Sequence, residues 1–447
     1  MGYALGMGLH PVLAEKLNAA LAQAPTTGMT RRDARLPEVP KKVHAVIGMR
    51  RAGKTTFLRQ LLDDCRREGP PERAVYLSFD DDRLSGIDAQ QLDFLLEEYF
   101  RRHPDLRGRK TTHWLLDEIQ FVPGWERFVR RVLDTERVRV VVSGSSARML
   151  SREVHTSLRG RGMATVIRPF SFREYLRHRG EEPSEAPGRW APAERSRVER
   201  RFRDFLVEGG FPETQGLATP QRVELLQGYV DTVLFRDVVE RYGISQVAGL
   251  RWLVRHLLRN PAGSFSVHRM HRDLASQGHG VGKDTVHAWM GYLTDAFLVG
   301  VVPLATESER QRNSNPRKSY PADPGLVHAF DVSGRANVGH ALETVVQNEL
   351  ERRGVEAGYV STAGGLEVDF LARRIGAEAE LLQVCADVSA PETLDREVRA
   401  LAAASEEHPR ARRRLLVLDR DDRAAARAHG IDVLPAYEWL LDDAPPS

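Results

Sequence analysis

Eight consecutive residues, Gly48-Met49-Arg50-Arg51-Ala52-Gly53-Lys54-Thr55, constrain this chain more than any other stretch. They fit the spacing G-x-x-x-x-G-K-S/T, and their flanks fit it too. Val43-His44-Ala45-Val46-Ile47 is a short apolar run that reads as a buried strand, and residues 56–67 carry apolar side chains at helical spacing. Strand, glycine loop and helix in that order aim backbone N–H groups and a helix N-terminus at one point, which suits a phosphate. The spacing predicts that Gly48, Arg50, Arg51, Ala52, Gly53 and Thr56 surround the phosphates of ATP. Lys54 would reach the β- and γ-phosphates, and Thr55 would turn its hydroxyl to Mg²⁺. A plain glycine turn would keep the strand and helix without that chemistry.

A loop of this kind works with polar groups at the ends of neighbouring strands. Leu115-Leu116-Asp117-Glu118 is an apolar run closed by two acids. Asp117 suits the metal, and Glu118 suits the polarisation of an attacking water. The next strand, Val138 to Val142, runs into Ser143-Gly144-Ser145, where Ser143 or Ser145 either senses the γ-phosphate or caps a turn. Arg161, and after it Arg159, could serve as a finger to a neighbouring subunit's nucleotide, or be surface charge. The finger reading requires a homo-oligomer.

Composition bounds the rest. The 447 residues suit about three domains. The chain has 65 basic and 62 acidic residues for a net charge of +3, so any nucleic-acid contact must come from local clusters. Two cysteines, Cys65 and Cys385, are too few for a disulfide framework or a cysteine zinc site. With no signal-like N-terminus and no apolar run of membrane-spanning length, the expectation is a cytoplasmic protein with no membrane partner.

Strand and helix signals alternate from 43 to about 180, as expected of a parallel sheet covered by helices. Residues 1–40 form a lead-in with one helix near 11–23. Residues 179–200, with Pro183, Pro187 and Pro192, read as a loop or linker. Helical patterns follow, giving a lid over 196–262. Within 263–333, a helix, a GHGVG turn, a second helix and a strand pair make a winged-helix pattern. The second helix offers Lys283, Thr285 and His287 to DNA, and the loop before the returning strand offers Arg317 and Lys318 to phosphates. Packing or protein contact is the alternative for this module.

The motifs GMRRAGKTT, LLDEIQ followed by Pro123-Gly124-Trp125, VVSGSSARML, LRGR, RPFSFREYL and Glu208-Gly209-Gly210-Phe211-Pro212-Glu213 occur in this order. Together they resemble a bacterial and archaeal group of AAA-type ATPases, similar to archaeal ATPases related to origin-recognition and signal-transduction NTPases. The resemblance covers about 40 to 441. It implies an α/β fold: a P-loop core with a parallel sheet, a helical lid and winged helix, and a C-terminal nuclease-like domain over 334–447. It also places Gly209-Gly210-Phe211-Pro212 in the lid.

The last 110 or so residues read as helix, three strands, helix and strand, matching the core of restriction-endonuclease-like folds. Those enzymes hold Mg²⁺ with a helix Glu, a strand Asp and a Glu-x-Lys on the next strand. Glu343 and Asp369 fill the first two places, but the third reads Gln383-Val384-Cys385. Residues 355–415 contain no lysine, so a substitute lysine is not expected, and the site reads as degenerate. The resulting expectation is an ATP-binding and ATP-hydrolysing enzyme, a motor or switch on DNA in repair, recombination or defence. The alternatives are a regulatory switch that binds a protein and an ATP-gated, metal-dependent nuclease.

Overall fold

The computed structural model describes residues 8–144, 160–314, 316–331, 337–420 and 431–442. The chain divides into two compact units, Met1–Arg168 and Pro169–Ser447.

The first unit is built on five strands: β1 (Val43–Ile47), β2 (Ala74–Ser78), β3 (Thr112–Asp117), β4 (Val138–Ser143) and β5 (Gly162–Val166). They pair in the order β2-β3-β4-β1-β5, all parallel. Helices cover the sheet, so β1 is buried at all five residues and needs no polar face. Helix α1 (Pro11–Ala22) is the lead-in, and α2 (Lys54–Arg67) follows the glycine loop. Helices α3 (Ala89–Arg102) and α4 (Trp125–Thr135) come next. Along α4, Trp125, Phe128, Val129, Val132 and Leu133 recur on one face and are buried. Each such side chain stabilises the fold by roughly 1.5–3 kcal/mol. The lead-in is tied down: the Arg66 guanidinium donates to the carbonyls of Ala20 at 2.7 Å and Gln23 at 2.6 Å.

The second unit begins with α5 (Phe172–His178), capped by a Ser171–Glu174 capping box. The expected linker over 179–200 is only partly loop. Helix α6 starts at Pro192 and runs to Glu208, burying Val198, Phe202, Phe205 and Leu206. Proline tolerates the first helical turn, where its missing N–H would have no intrahelical partner. Helix α7 (Thr219–Thr232) continues as a π-helical stretch over Val233–Val239, and α8 spans Val247–Arg259. A helix–turn–helix follows, α9 (Val267–Ser276) and α10 (Lys283–Asp295). It is flanked by β6 (Ser264–Phe265), β7 (Val299–Val302) and β8 (Arg317–Pro321), an antiparallel sheet ordered β6-β8-β7.

Between β7 and β9 lie the short helices α11 (Glu309–Ser314) and α12 (Pro324–Phe330) and the longer α13 (Val338–Arg352). The last sheet holds β9 (Glu356–Ser361), β10 (Glu367–Arg373), β11 (Glu380–Cys385), β12 (Arg412–Val417) and β13 (Asp432–Pro435) in the order β13-β12-β11-β10-β9. β9, β10 and β11 pair antiparallel, whereas β11, β12 and β13 pair parallel. Helix α14 (Pro391–Glu407) connects β11 to β12, and α15 (Ala436–Leu441) ends the described chain. One core joins Leu342, Val345 and Val346 of α13 to Phe370, Leu382, Leu416 and Tyr437. Among the described residues no helix is long and apolar enough to cross a membrane.

Candidate functional site

β1 ends where the glycine loop begins. Gly48 has φ 144°, and a Cβ there would stand 2.1 Å from the Ile167 carbonyl oxygen, so only glycine fits. Gly53 caps α2 in the left-handed region at φ 100°. The loop folds over Lys54, whose buried Nζ donates to the Gly48 carbonyl at 2.9 Å and the Met49 carbonyl at 3.1 Å. Thr55 Oγ1 donates to Asp117 Oδ2 at 2.8 Å. Three elements that are distant in the chain therefore meet at one carboxylate: the start of α2, the end of β3 and the end of β4. The Ser143 hydroxyl of β4 donates to Asp117 Oδ1, and the Glu118 backbone N–H donates to Ser143 Oγ at 3.1 Å.

Glu118 turns the chain with φ 52°, a conformation that costs a non-glycine residue about 1–2 kcal/mol. Burial pushes its carboxyl above the ordinary value, against the pull of Lys54 and of the Gln120 amide that donates to it. Sequence reasoning passed over Tyr76. Its hydroxyl donates to Asp117 Oδ2 at 2.6 Å, and burial first, then the Asp117 charge, keep it protonated as a donor. A tyrosine inside an otherwise apolar strand was the available signal, because a buried phenol needs a partner. Arg32, also missed, is buried and donates to the Ala52 carbonyl at 2.9 Å and to that of Arg168.

A family model described as an AAA domain matches residues 40–176. Residues 40–176 are thus an AAA domain. A second model, a domain of unknown function, matches residues 199–336. An uncharacterised protein of Methanocaldococcus jannaschii is 29% identical over 420 residues, covering 92% of this chain and 90% of its own. An uncharacterised protein of Haemophilus influenzae is 26% identical over 402 residues, covering 89% and 94%. Among solved structures, the Walker-type ATPase of Pyrococcus abyssi overlaps at 14% identity with a TM-score of 0.40, covering 72% of this chain and 95% of that one.

Within the AAA domain, Arg161 precedes β5, and its carbonyl accepts from Val43 at the start of β1. It stands at the opposite end of that strand pair from Gly48, and its guanidinium pairs with Asp134. Arg159 and Ser145 lie outside the described residues. Of the loop residues, Ala52 is buried, Arg51 and Thr56 are exposed, and Arg50 is half-buried with its charge felt at Glu118.

In the second unit, α10 turns Val286, Trp289, Met290 and Leu293 into the core and leaves Lys283 and His287 exposed, with Thr285 half-buried. Arg317 is half-buried.

Lys318 is not a surface phosphate contact. Its side chain is 5% exposed, and Nζ lies 2.8 Å from Asp369 Oδ1, 2.9 Å from Glu367 Oε1 and 3.2 Å from Glu343 Oε1. A substitute lysine, not expected beside Glu343 and Asp369, is therefore present. The lysine comes from β8, far upstream of the window in which a replacement was sought. Burial alone would lower the Lys318 pKa, but Asp369, Glu343 and Glu367 outweigh it and hold the amine charged. Tyr320 donates to Glu343 Oε1 at 2.6 Å. Burial, then the Asp369 charge, push the Glu343 carboxyl up to about 8.

Gln383 is engaged by protein groups. Its Oε1 accepts from Asp369 N at 3.2 Å, and its amide donates to Glu397 Oε2 at 2.6 Å. Cys385 Sγ donates to the Asp387 carbonyl at 3.3 Å, and burial raises its pKa to about 11. Among the described residues no group of three or more His, Cys, Asp or Glu is arranged to hold a metal ion.

Proposed function

We propose that this protein binds ATP with Mg²⁺ at the glycine loop, hydrolyses it, and uses the cycle as a motor or switch on DNA. The observation that carries the first part is the meeting of Thr55 Oγ1 and Asp117 Oδ2 at 2.8 Å beside a buried lysine. A hydroxyl and a carboxylate side by side are hard oxygen donors that fit Mg²⁺. When bound, the ion supplies neutralisation of phosphate charge.

The chain's own groups do the rest. The loop amides and the α2 N-terminus receive phosphate oxygens. Lys54 exchanges its two backbone carbonyls for phosphate. Ser143 and Tyr76 hold Asp117 in place. Glu118 orients the water that attacks the γ-phosphate, and its raised pKa makes it a better acceptor for that water's proton. An arginine from a neighbouring copy belongs to this reading, with Arg161 the described candidate. Specific turnover should then rise with protein concentration.

Lys283 and His287 support the DNA part, since they lie exposed one turn apart at the start of α10. Turnover and binding test the whole reading. Lys54→Ala should abolish ATP binding, whereas Glu118→Gln should bind ATP and turn over at least about 100-fold more slowly. Anisotropy with labelled duplex should show steeply salt-dependent affinity, weakened about 3- to 10-fold by Lys283→Ala with His287→Ala. Salt-insensitive or absent binding would remove DNA and leave the protein-binding switch.

A further inference from the structure

Arg32 is a buried guanidinium that touches the glycine loop without belonging to its motif. It lies in the lead-in between α1 and β1 and is 7% exposed. Nη1 donates to the Ala52 carbonyl at 2.9 Å, and Nη2 donates to the Arg168 carbonyl. Ala52 stands where the loop turns into α2, and Arg168, just past β5, is the last residue of the first unit. The loop is therefore held to the exit of β5 at two places. Gly48 packs against the Ile167 carbonyl, and Ala52 is tied to the Arg168 carbonyl through one planar fork.

The fork is itself anchored to the helix that the loop feeds. Arg32 N donates to Gln60 Oε1 at 3.2 Å, and Gln60 Nε2 donates to the Thr30 carbonyl at 2.6 Å, so the lead-in is bonded to α2 on both sides of Arg31. Ala34 and Leu36 pack against the core that holds Phe57, Leu58 and Ile167. Holding a carbonyl also orients the amide that shares its peptide plane. In a trans peptide the C=O and the N–H point opposite ways, so an Ala52 carbonyl drawn to Arg32 turns the Gly53 N–H away from it. Gly53 caps α2, and the first N–H groups of a helix have no intrahelical partner and suit an anion.

We propose that Arg32 is a positioning residue of the ATP site: it fixes the Ala52–Gly53 peptide so that the Gly53 N–H faces the nucleotide's phosphates, and it ties the loop to the exit of β5. Both Nη atoms are engaged by backbone carbonyls, so Arg32 acts through the loop and not on the phosphates. A lysine offers one point-like ammonium and cannot bridge the two carbonyls in the same way. The amide meets phosphate in the ground state as well as in the transition state, so its loss shows in binding and not in the chemical step.

This inference rests on the reading of the glycine loop as an ATP site. The test measures kcat and KM for ATP, and by calorimetry the Kd of ADP, in the full chain and in Arg32→Ala, Arg32→Lys and Arg31→Ala. Arg31 is the control on the same segment, since its ion pair with Asp64 lies at the surface. Arg32→Ala should raise KM and the ADP Kd about 10-fold or more with kcat within about 3-fold, and Arg31→Ala should match the wild type. Millimolar guanidinium should restore ADP affinity to Arg32→Ala. A denaturing cation would only worsen a folding defect, so rescue separates positioning from destabilisation. Should Arg32→Ala fail to fold, Arg32→Lys decides: at least about 3-fold weaker ADP binding is expected, and wild-type affinity overturns the role. A wild type that binds no ADP overturns the ATP-site reading and this proposal with it. A wild type that binds, with Arg32→Ala equal in affinity, altered in kcat alone or not rescued by guanidinium, overturns the role of Arg32 only.

Discussion

Single residues decide the geometry at the glycine loop. Gly48→Ala would drive a Cβ to within 2.1 Å of the Ile167 carbonyl oxygen, at a φ that favours glycine. Neither atom belongs to a flexible side chain, so the backbone has to move. We expect a loss of at least about 2 kcal/mol in urea unfolding, together with loss of nucleotide binding. Tyr76→Phe deletes one hydroxyl and leaves the ring. It should raise the Mg²⁺ concentration for half-maximal turnover several-fold while changing ATP affinity little, because Tyr76 touches Asp117 and not the loop. An unchanged Mg²⁺ dependence would make Tyr76 a packing residue. That Lys54, Thr55, Asp117 and Glu118 come together was legible in the sequence from their spacing and flanks. Tyr76 and Arg32 were not, since their partners lie across the fold and no local pattern names them.

At the scale of elements, burial and turn chemistry explain where the sequence could be read. β1, β3 and β4 are short, mainly apolar runs, and α4 is an amphipathic helix, so each announces itself. Helix α6 did not, because three prolines and mixed charge over 179–200 look like a linker, although Pro192 occupies a position that a helix accepts. β13 was missed because a four-residue strand carries too little periodicity.

The junction of α6 and α12 makes a prediction of its own. Asp323 caps α12, accepting from Gly325 N at 2.9 Å and Gly210 N at 2.7 Å. Burial pushes its carboxyl from 3.8 up to about 7 despite those two donors. The folded protein thus holds this proton to higher pH than the unfolded chain does. The associated stability is complete below about pH 4 and is lost as pH rises through about 7, amounting to at most about 4 kcal/mol. Urea midpoints at pH 5, 6, 7 and 8 should fall with pH in the wild type, and the fall should shrink in Asp323→Asn. Equal slopes in the two proteins would show that Asp323 titrates normally.

At the scale of the whole molecule, the chain combines an AAA domain with a second unit whose ionic centre is assembled from segments that no sequence window spans. Lys318 shows why reading stopped short. A lysine in a loop-and-strand segment with arginines nearby reads as surface charge, and only the fold brings the Lys318 side chain of β8 to Glu343 on α13 and Asp369 on β10. Degeneracy was inferred from the local motif Gln383-Val384-Cys385, and the lysine that stands beside Glu343 and Asp369 comes from a different part of the chain. The central claim remains that ATP with its metal sits against the loop preceding Thr55. Titration calorimetry with a non-hydrolysable ATP analogue and Mg²⁺ tests it most directly. The wild type should bind about one equivalent per chain, with Lys54→Ala weaker by at least about 100-fold. No heat of binding from folded wild type, or equal affinity in Lys54→Ala, would contradict it.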